Sequence, residues 1–241
     1  AELLAALKIL EAGDVTPAAM LGSWAGAIGQ PQILPSQYLD VAVDFDRDGR
    51  RDVWNSVPDS LATIANFLIG EGWDPKRGWG FEVIVPPAVA CSLEGPEQGK
   101  PLRDWARLGV TRADGAALPT GASVSYLMMP AGRLGPAFLV SRNFYTLKAY
   151  NNSDLYALYI LHLADRLGGG GPLKAAWQEG ERFPRARVAL LQKALEKRGH
   201  DVGGADGLVG FRTRIAIGRE QAATGRPVTC QPDQAMMTGL P

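Results

Sequence analysis

Residues 22–38 read GSWAGAIGQPQILPSQY, and they constrain the fold more than any other stretch. Three glycines stand among small residues here, and glycine lets the backbone approach a neighbour closely because it has no Cβ. The neighbour could be a flat, bulky ligand or a second helix. Ser23 and Gln32 add hydroxyl and amide groups, and Trp24 and Tyr38 add ring faces. The residues alone therefore leave a binding loop and a tight helix contact both open.

The segment that follows, residues 42–55 (AVDFDRDGRRDVWN), has the spacing of a calcium-binding loop. Gly49 holds the sixth position, where an EF-hand-type loop turns sharply, and Asn55 stands at the twelfth in place of a sensor's glutamate. The acidic residues at the first, third, fifth and ninth positions are Asp44, Asp46, Asp48 and Asp52. Asp52 could be a ligand or a salt-bridge partner. The alternative is a polar turn whose carboxylates are neutralised by Arg47, Arg50 and Arg51.

Helical patterns lie on both sides of these two segments, within residues 1–75. Thr16 before Pro17 predicts a helix start, because proline suits the first helical turn. Ser56 or Asp59 can cap a later helix that ends near Gly70. The apolar residues at helical spacing, which we expect to face the core, are Leu3, Leu4, Leu7 and Leu10 in the first helix and Leu61, Ile64, Phe67 and Leu68 in the last.

Residues 76–150 have a different character. Glycine and proline interrupt short β-favouring runs (FEVIVP, ASVSYLMMP, PAFLVSRNFYTL), which predicts a small sheet inserted in a helical body. Helical pattern returns after Ser153, a candidate N-cap, and a glycine run at 168–172 predicts a flexible break. The apolar residues of that helix that we expect in the core are Leu155, Tyr159 and Leu163.

Composition excludes several classes of function. The chain has 241 residues with 25 basic and 25 acidic side chains, so it has no net positive field for nucleic acid. No apolar run reaches the roughly 20 residues of a membrane span. Only His162 and His200 are present, which argues against a His/Cys zinc site and a Ser-His-Asp triad. Cys91 and Cys230 could form a disulfide or remain as two buried thiols.

The C-terminal residues 182–241 form a helical module with a specific motif. Apolar residues Val188, Leu191 and Leu195 share one helix face that ends at Gly199. The string LLQKALEKRGHDVGGADGLVGFRTRIAI resembles the three-helix peptidoglycan-binding module. The matching positions are Leu191-Gln192, Leu195, Gly199, Asp206-Gly207, Gly210, Thr213 and Ala216-Ile217. Gly218 departs from the pattern and weakens a helix by up to about 1 kcal/mol relative to alanine.

The N-terminal two thirds resemble the lytic murein transglycosylase B family, glycoside hydrolase family 103. Two strings carry the resemblance, the first from Gly22 to Leu68 and the second GPAFLVSRNFYTLKAYNNSDLYALYILHLADRL. It implies a mainly α fold of the α+β type: a lysozyme-like helical domain over 1–167 with the insert at about 76–150. A linker at 168–181 and the three-helix module would follow. It also implies cleavage of the β-1,4 bond between N-acetylmuramic acid and N-acetylglucosamine, in the periplasm or at the outer membrane.

The resemblance also assigns site residues. Those that match the family's substrate groove are Ser23, Gln32, Tyr150, Asn151 and Tyr156, although both tyrosines could be core residues. In family members with a single calcium loop, the ligand positions match Asp44, Asp46, Asp48, the carbonyl of Arg50, and Asp59 after a one-residue offset. One structural calcium and no organic cofactor are therefore expected.

The family's chemistry depends on one glutamate, which we do not find in this chain. That glutamate protonates the glycosidic oxygen and then activates the muramic acid 6-hydroxyl, so the product is a 1,6-anhydro sugar. Glu2 and Glu11 precede the GSWAGAIG segment but match no catalytic motif, and Asp40 and Glu82 have no partner at a useful spacing. We therefore expect an N-terminally truncated member with its acid upstream. The alternative is a protein that binds peptidoglycan and cuts nothing.

Overall fold

The computed structural model describes residues 1–238 and 240, and the chain divides into two compact units, Ala1–Asp74 and Pro75–Pro241. In the described part of the chain, no helix combines the length and the apolar composition that a membrane span requires.

The first unit contains three helices, α1 (Glu2–Glu11), α2 (Pro35–Val41) and α3 (Val57–Gly70). The predicted cap of α3 is confirmed, because the Ser56 side chain accepts a hydrogen bond from the Asp59 backbone N–H at 3.3 Å. The expected helix at Thr16 is wrong. Thr16 accepts from the N–H groups of Ala19 and Met20, and the pattern stops after this single turn.

The apolar faces expected for α1 and α3 are also wrong in part. Leu3, Leu4, Leu7 and Leu61 are exposed, whereas the buried residues are Ala5 and Ile9 in α1 and Asp59, Ser60, Thr63 and Phe67 in α3. The α3 helix turns polar groups inward because they satisfy buried backbone. The Thr63 hydroxyl accepts from the Val43 N–H at 3.1 Å, and the Ser60 hydroxyl donates to the Val53 carbonyl at 3.1 Å.

The second unit contains the predicted small sheet, but the last β-favouring run is a strand only at Ala137–Val140, and its continuation from Arg142 is helical because Ser141 caps a helix there. The strands of the sheet are β1 (Gly80–Ile84), β2 (Lys100–Pro101), β3 (Thr111–Arg112), β4 (Val124–Met128) and β5 (Ala137–Val140), in the spatial order β2-β4-β5-β1-β3. All four pairings are antiparallel, and Leu139 is paired with both Phe81 and Leu127. The central strand β5 is buried along its whole length, which places the core of the insert around it.

Six helices complete the second unit: α4 (Leu102–Arg107), α5 (Arg142–Tyr150), α6 (Asp154–Leu167), α7 (Arg185–Lys197), α8 (Phe211–Ala223) and α9 (Gln234–Met237). The predicted N-cap of α6 is confirmed, because Ser153 accepts from the Tyr156 N–H. The core stripe expected on α6 is wrong. Leu155, Tyr159 and Leu163 are exposed, because the helix packs through Ala157, Leu158 and Leu161 instead.

The last three helices form the predicted module, whose core includes Val188, Leu191 and Leu195. The module belongs to the same compact unit as the sheet. Cys91, next to the sheet, and Cys230, after α8, form a disulfide whose two residues are fully buried. This resolves the question that the sequence left open for the cysteines.

A buried ion pair lies beside the disulfide. The Arg214 guanidinium of α8 contacts both carboxylate oxygens of Glu94 at 2.8 and 2.9 Å, and both side chains are almost completely buried. Asp154 contacts the same guanidinium at 3.2 Å and also pairs with Lys148 at 2.6 Å. Burial raises the pKa of Glu94, and the Arg214 charge opposes that rise. These contacts connect α8 of the module to residues outside it within the second unit.

The predicted linker at 168–181 is held against the sheet. The N–H groups of Lys174 and Ala175 each donate to the Glu82 carboxylate at 2.7 Å, and the Gln178 N–H donates to the Leu134 carbonyl at 2.7 Å. Gly135 makes room for the Trp177 ring, which would collide with a Cβ at that position. The segment after the glycine run is therefore anchored by hydrogen bonds.

Candidate functional site

The glycine-rich stretch forms a bridged loop in the first unit, so a helix–helix contact is not its role. Ile28 makes antiparallel bridges with Gly22 and with Ile33. The Ser23 N–H donates to the Ala27 carbonyl at 2.8 Å, and the Ala27 N–H donates to the Ser23 hydroxyl oxygen at 3.2 Å. The Ser23 hydroxyl therefore has its position fixed from within the loop and keeps its own proton for a ligand.

Gln32 lies in the same loop in a strained conformation. Its φ is 54°, a left-handed value that residues other than glycine rarely adopt and that occurs often at functional sites. Its side-chain amide donates to the Gly29 carbonyl at 2.8 Å, which leaves the side-chain oxygen of this exposed residue available as an acceptor. Gly29 itself has a φ of 64° and packs against Val53, where a Cβ would collide.

The two aromatic residues of this stretch have opposite environments. Tyr38 is fully buried and its hydroxyl donates to the Arg51 carbonyl at 2.7 Å, so its ring is unavailable to a ligand. Trp24 is completely exposed, at 101% of the reference area. The expectation of two ring faces is therefore wrong for Tyr38.

The other three predicted groove residues lie together in the second unit, where α5 ends and α6 begins. Tyr150 is the last residue of α5, Asn151 follows as its extended C-cap, and Tyr156 lies in the first turn of α6. Burial raises the pKa of Tyr150 to about 12, and the neighbouring Tyr156 phenol adds to the rise. Both tyrosines are partly exposed and Asn151 is exposed, so this corner presents two phenols and an amide.

The carboxylates named above as possible general acids are either hydrogen-bonded to other groups or exposed to solvent. Glu2 accepts hydrogen bonds from the N–H and hydroxyl of Ser36, which lower its pKa and keep it ionised. Glu82 accepts from the two linker N–H groups described above, and Asp40 is exposed on α2. A general acid needs a proton at neutral pH and an apolar pocket, and none of these three has that combination.

Three acidic residues of the predicted calcium loop meet in the first unit. Asp44, Asp46 and Asp59 each place a carboxylate oxygen within 4.8 Å of the others. Asp59 is fully buried, and its two oxygens accept from the N–H groups of Phe45 at 2.8 Å and Asp52 at 2.9 Å. Hard oxygen ligands in such a group suit calcium.

The other charged residues of this loop have hydrogen-bond or ion-pair partners of their own. Asp48 pairs with Arg50 at 3.1 Å, which lowers the Asp48 pKa, and its N–H donates to Asp44. Arg51 pairs with Asp14 at 2.7 Å. Asp52 accepts from the N–H groups of Trp54 and Asn55, and it is not one of the three grouped carboxylates.

The arginines and Ser56 of this loop bear on the predicted calcium site. The contacts of Arg50 and Arg51 do not support the alternative in which they neutralise the three clustered carboxylates. Sequence reasoning also missed Ser56, whose hydroxyl donates to the Asp46 carboxylate at 3.1 Å. Its position as the cap of α3 was the available signal.

Comparison with protein families identifies the family of the chain. Residues 1–165, more than half of the chain, match the transglycosylase SLT domain. The chain belongs to this transglycosylase family. Both candidate regions, the loop at 22–34 and the corner between α5 and α6, fall within the SLT domain. Residues 184–240 match a second family, the peptidoglycan binding domain. The predicted fold class, mainly helical and lysozyme-like with a small sheet, is confirmed.

Known relatives of this SLT protein are longer than the chain. It is 29% identical over 178 residues to membrane-bound lytic murein transglycosylase B of Escherichia coli, which covers 71% of the chain and 42% of that protein. The structure of SltB3 from Pseudomonas aeruginosa in complex with NAG-anhNAM-pentapeptide has 45% identity and a TM-score of 0.89. That match covers 99% of this chain and 64% of the SltB3 chain.

A more distant solved relative holds a metal ion. The Escherichia coli lytic transglycosylase SLT35 in complex with calcium is 26% identical, with a TM-score of 0.55. The match covers 69% of this chain and 53% of that one.

Proposed function

We propose that this chain is part of a lytic transglycosylase that cleaves the β-1,4 bond between N-acetylmuramic acid and N-acetylglucosamine. The observation that carries the proposal is the SLT domain match over residues 1–165, together with 45% identity to a protein solved with an anhydro-sugar peptide. In such a reaction the muramic acid 6-hydroxyl attacks its own anomeric carbon. The product is a 1,6-anhydro sugar, and no water is consumed.

The groove residues supply binding and orientation in this proposal. The Ser23 hydroxyl donates and the Gln32 side-chain oxygen accepts at the glycine-rich loop. Tyr150, Asn151 and Tyr156 contribute phenol and amide groups at the corner between α5 and α6. A neutral phenol is a hydrogen-bond donor, and Tyr150 is neutral at physiological pH because even an ordinary tyrosine ionises only near pH 10.

The catalytic glutamate in this proposal lies outside these 241 residues. The contacts of Glu2 and Glu82 support this, because Glu2 accepts from the N–H and hydroxyl of Ser36 and Glu82 accepts from two backbone N–H groups. Glu94 has the burial that a general acid needs, but Arg214 contacts both of its oxygens. A guanidinium held this closely favours the ionised carboxylate.

We also propose one structural calcium ion held by Asp44, Asp46 and Asp59. The fit rests on the mutual proximity of the three carboxylates and on the full burial of Asp59. An uncompensated cluster of carboxylates is costly, and a divalent cation removes that cost. Asp48 and the carbonyl of Arg50 stay predicted ligands. The ion would tie the loop to the start of α3.

The module at 182–241 would hold the enzyme on peptidoglycan, with catalytic-domain residues at 1–167 and the connecting segment at 168–181. Peptidoglycan lies outside the cytoplasmic membrane, so we propose a periplasmic or outer-membrane-associated location. The second candidate function is a non-catalytic peptidoglycan-binding protein, which the match over 184–240 would support on its own.

The test uses purified peptidoglycan and mass spectrometry of the released fragments. We would compare the 241-residue chain with a fusion that adds the part of SltB3 preceding the matched region. Anhydromuropeptides from the fusion alone are expected, with much less product from its Ser23→Ala variant. Product from the chain alone would contradict the proposed location of the acid. No product from either, with cosedimentation on peptidoglycan intact, would favour the non-catalytic binding protein.

A further inference from the structure

Trp24 stands at the corner of a turn in the glycine-rich loop and contacts solvent on every side. The turn spans Ser23 to Gly26, closed by a hydrogen bond from the Gly26 N–H to the Ser23 carbonyl at 2.9 Å. The Trp24 side chain has 101% of its reference exposure, although tryptophan is largely buried on average. Trp24, whose side chain is the largest of the twenty amino acids, therefore projects into solvent.

The backbone that carries Trp24 is held firmly from both sides. On one side, the Trp54 indole N–H donates to the Leu21 carbonyl at 3.1 Å. On the other, the Ala27 N–H and carbonyl both bond to Ser23, and Ile28 bridges two neighbouring segments. A rigid loop that presents a side chain with two rotatable bonds loses little conformational entropy when a ligand binds.

We propose that Trp24 is a stacking platform for one N-acetylated pyranose ring of the glycan strand, and so a positioning residue for the proposed reaction. The inference rests on the proposed function, because it commits the occupant to a glycan. A pyranose ring has an apolar C–H face that an indole can cover, and polar groups at its rim. The Ser23 hydroxyl, one residue away and fixed by the Ala27 N–H, is placed to meet those rim groups.

Stacking would remove one face of the indole from water. Burying the apolar area of one indole face corresponds to roughly a tenfold change in the dissociation constant of the glycan. Trp24→Ala should therefore weaken glycan binding about tenfold, and Trp24→Phe should recover part of the loss because a smaller ring still offers a flat face. In the fusion enzyme, the loss should appear in KM more than in kcat, as expected for binding that ground and transition states share.

The experiment is a nuclear magnetic resonance titration of the 241-residue chain with a soluble tetramer of N-acetylglucosamine. The indole N–H signal of Trp24 is identified by its absence from the Trp24→Phe spectrum. We expect this signal to move with saturation as the tetramer is added. The binding constant is then read from other signals of the same loop in Trp24→Ala. Leu167→Ala is the control, since Leu167 is also a large exposed apolar residue, at 82%, and lies outside both candidate regions and the predicted calcium loop.

Each outcome decides the inference. A saturating shift of the Trp24 signal supports it, provided that binding is weakened in Trp24→Ala and unchanged in Leu167→Ala. Tetramer binding elsewhere on the chain with a stationary Trp24 signal overturns the inference but leaves the proposed function intact. No binding of the tetramer anywhere, combined with no anhydromuropeptides from the fusion enzyme, overturns both.

Discussion

Replacing Gly218 with alanine gives a prediction whose sign separates two physical effects. Gly218 lies inside α8, where helix propensity alone predicts that alanine stabilises the chain by up to about 1 kcal/mol. The structure predicts the opposite. A Cβ on Gly218 would overlap the Cys230 Sγ and lie 3.6 Å from the Cys91 Sγ. The glycine that departs from the module's sequence pattern thus makes the space that the disulfide occupies.

The size of the effect follows from how the chain relieves the overlap. Overpacking a core typically costs about 1–3 kcal/mol, and overlap with a buried disulfide sulfur falls in the upper part of that range, about 2–3 kcal/mol. After the helix gain of up to about 1 kcal/mol, a net loss of roughly 1–2 kcal/mol is expected if the disulfide persists. If the disulfide cannot close, the loss is larger. Its half-cystines are 139 residues apart, and a loop of that size corresponds to an upper value of about 5 kcal/mol. Gln221 adds to the constraint, because its side-chain oxygen accepts from the Cys230 N–H.

The assay combines urea unfolding with a count of free thiols under denaturing conditions. Gly70→Ala is the matched control, since Gly70 also lies in a helix and has open space around its Cβ position. That control should be neutral or stabilising. In a Cys91→Ala, Cys230→Ala background the overlap disappears, and Gly218→Ala should then show the helix gain. A Gly218→Ala variant that is as stable as the wild type, with no free thiol, would refute the reasoning.

Three further predictions concern other parts of the chain. The Glu94→Ala variant should lose up to about 3–5 kcal/mol in urea unfolding, because the buried Arg214 charge loses its bidentate partner and keeps only Asp154 at 3.2 Å. Replacing both Glu94 and Arg214 by apolar residues should recover most of the loss. Calorimetry should show that the Asp59→Asn variant binds calcium at least tenfold more weakly than wild type. The Asp40→Asn variant should bind it nearly as well, because Asp40 is exposed on α2 and is not a predicted ligand. The difference in phenolate absorbance between wild type and Tyr150→Phe should titrate near pH 12. Because an unfolded tyrosine ionises near pH 10, the contribution of Tyr150 to stability is complete below pH 10 and is lost as the pH rises toward 12.

Local signals predicted many elements of the fold from the sequence. Ser56 and Ser153 cap the expected helices, and glycine and proline frame the expected strands, because caps and breakers act through the backbone within a few residues. The apolar stripes were less informative. Leu61 and Tyr159 have helical spacing but face solvent. Spacing indicates that a helix has an apolar face, and only the neighbouring elements decide which face is covered.

Motifs in the sequence predicted the residues of the candidate site, but they did not predict contacts between residues that are far apart in the sequence. The positions of Ser23 and Gln32 in one loop agree with the sequence, and so does the grouping of Asp44 with Asp59. Glu94 and Arg214 form an ion pair although they are 120 positions apart in the sequence, and no local sequence pattern predicts this pair. Contacts of this kind depend on tertiary geometry, which single-sequence reasoning does not supply.

The polar interior of α3 indicates what a calcium ion would do in this protein. A helix that served only packing would bury Leu61, but α3 buries Asp59, Ser60 and Thr63 instead. Each of these side chains holds backbone of the preceding loop, through Phe45, Val53 and Val43 respectively. Because Val53 also packs against Gly29 in the loop of Ser23 and Gln32, an ion at Asp59 would stabilise the support of the binding loop. The proposed calcium is therefore a structural ion whose removal should weaken glycan binding through the loop's order.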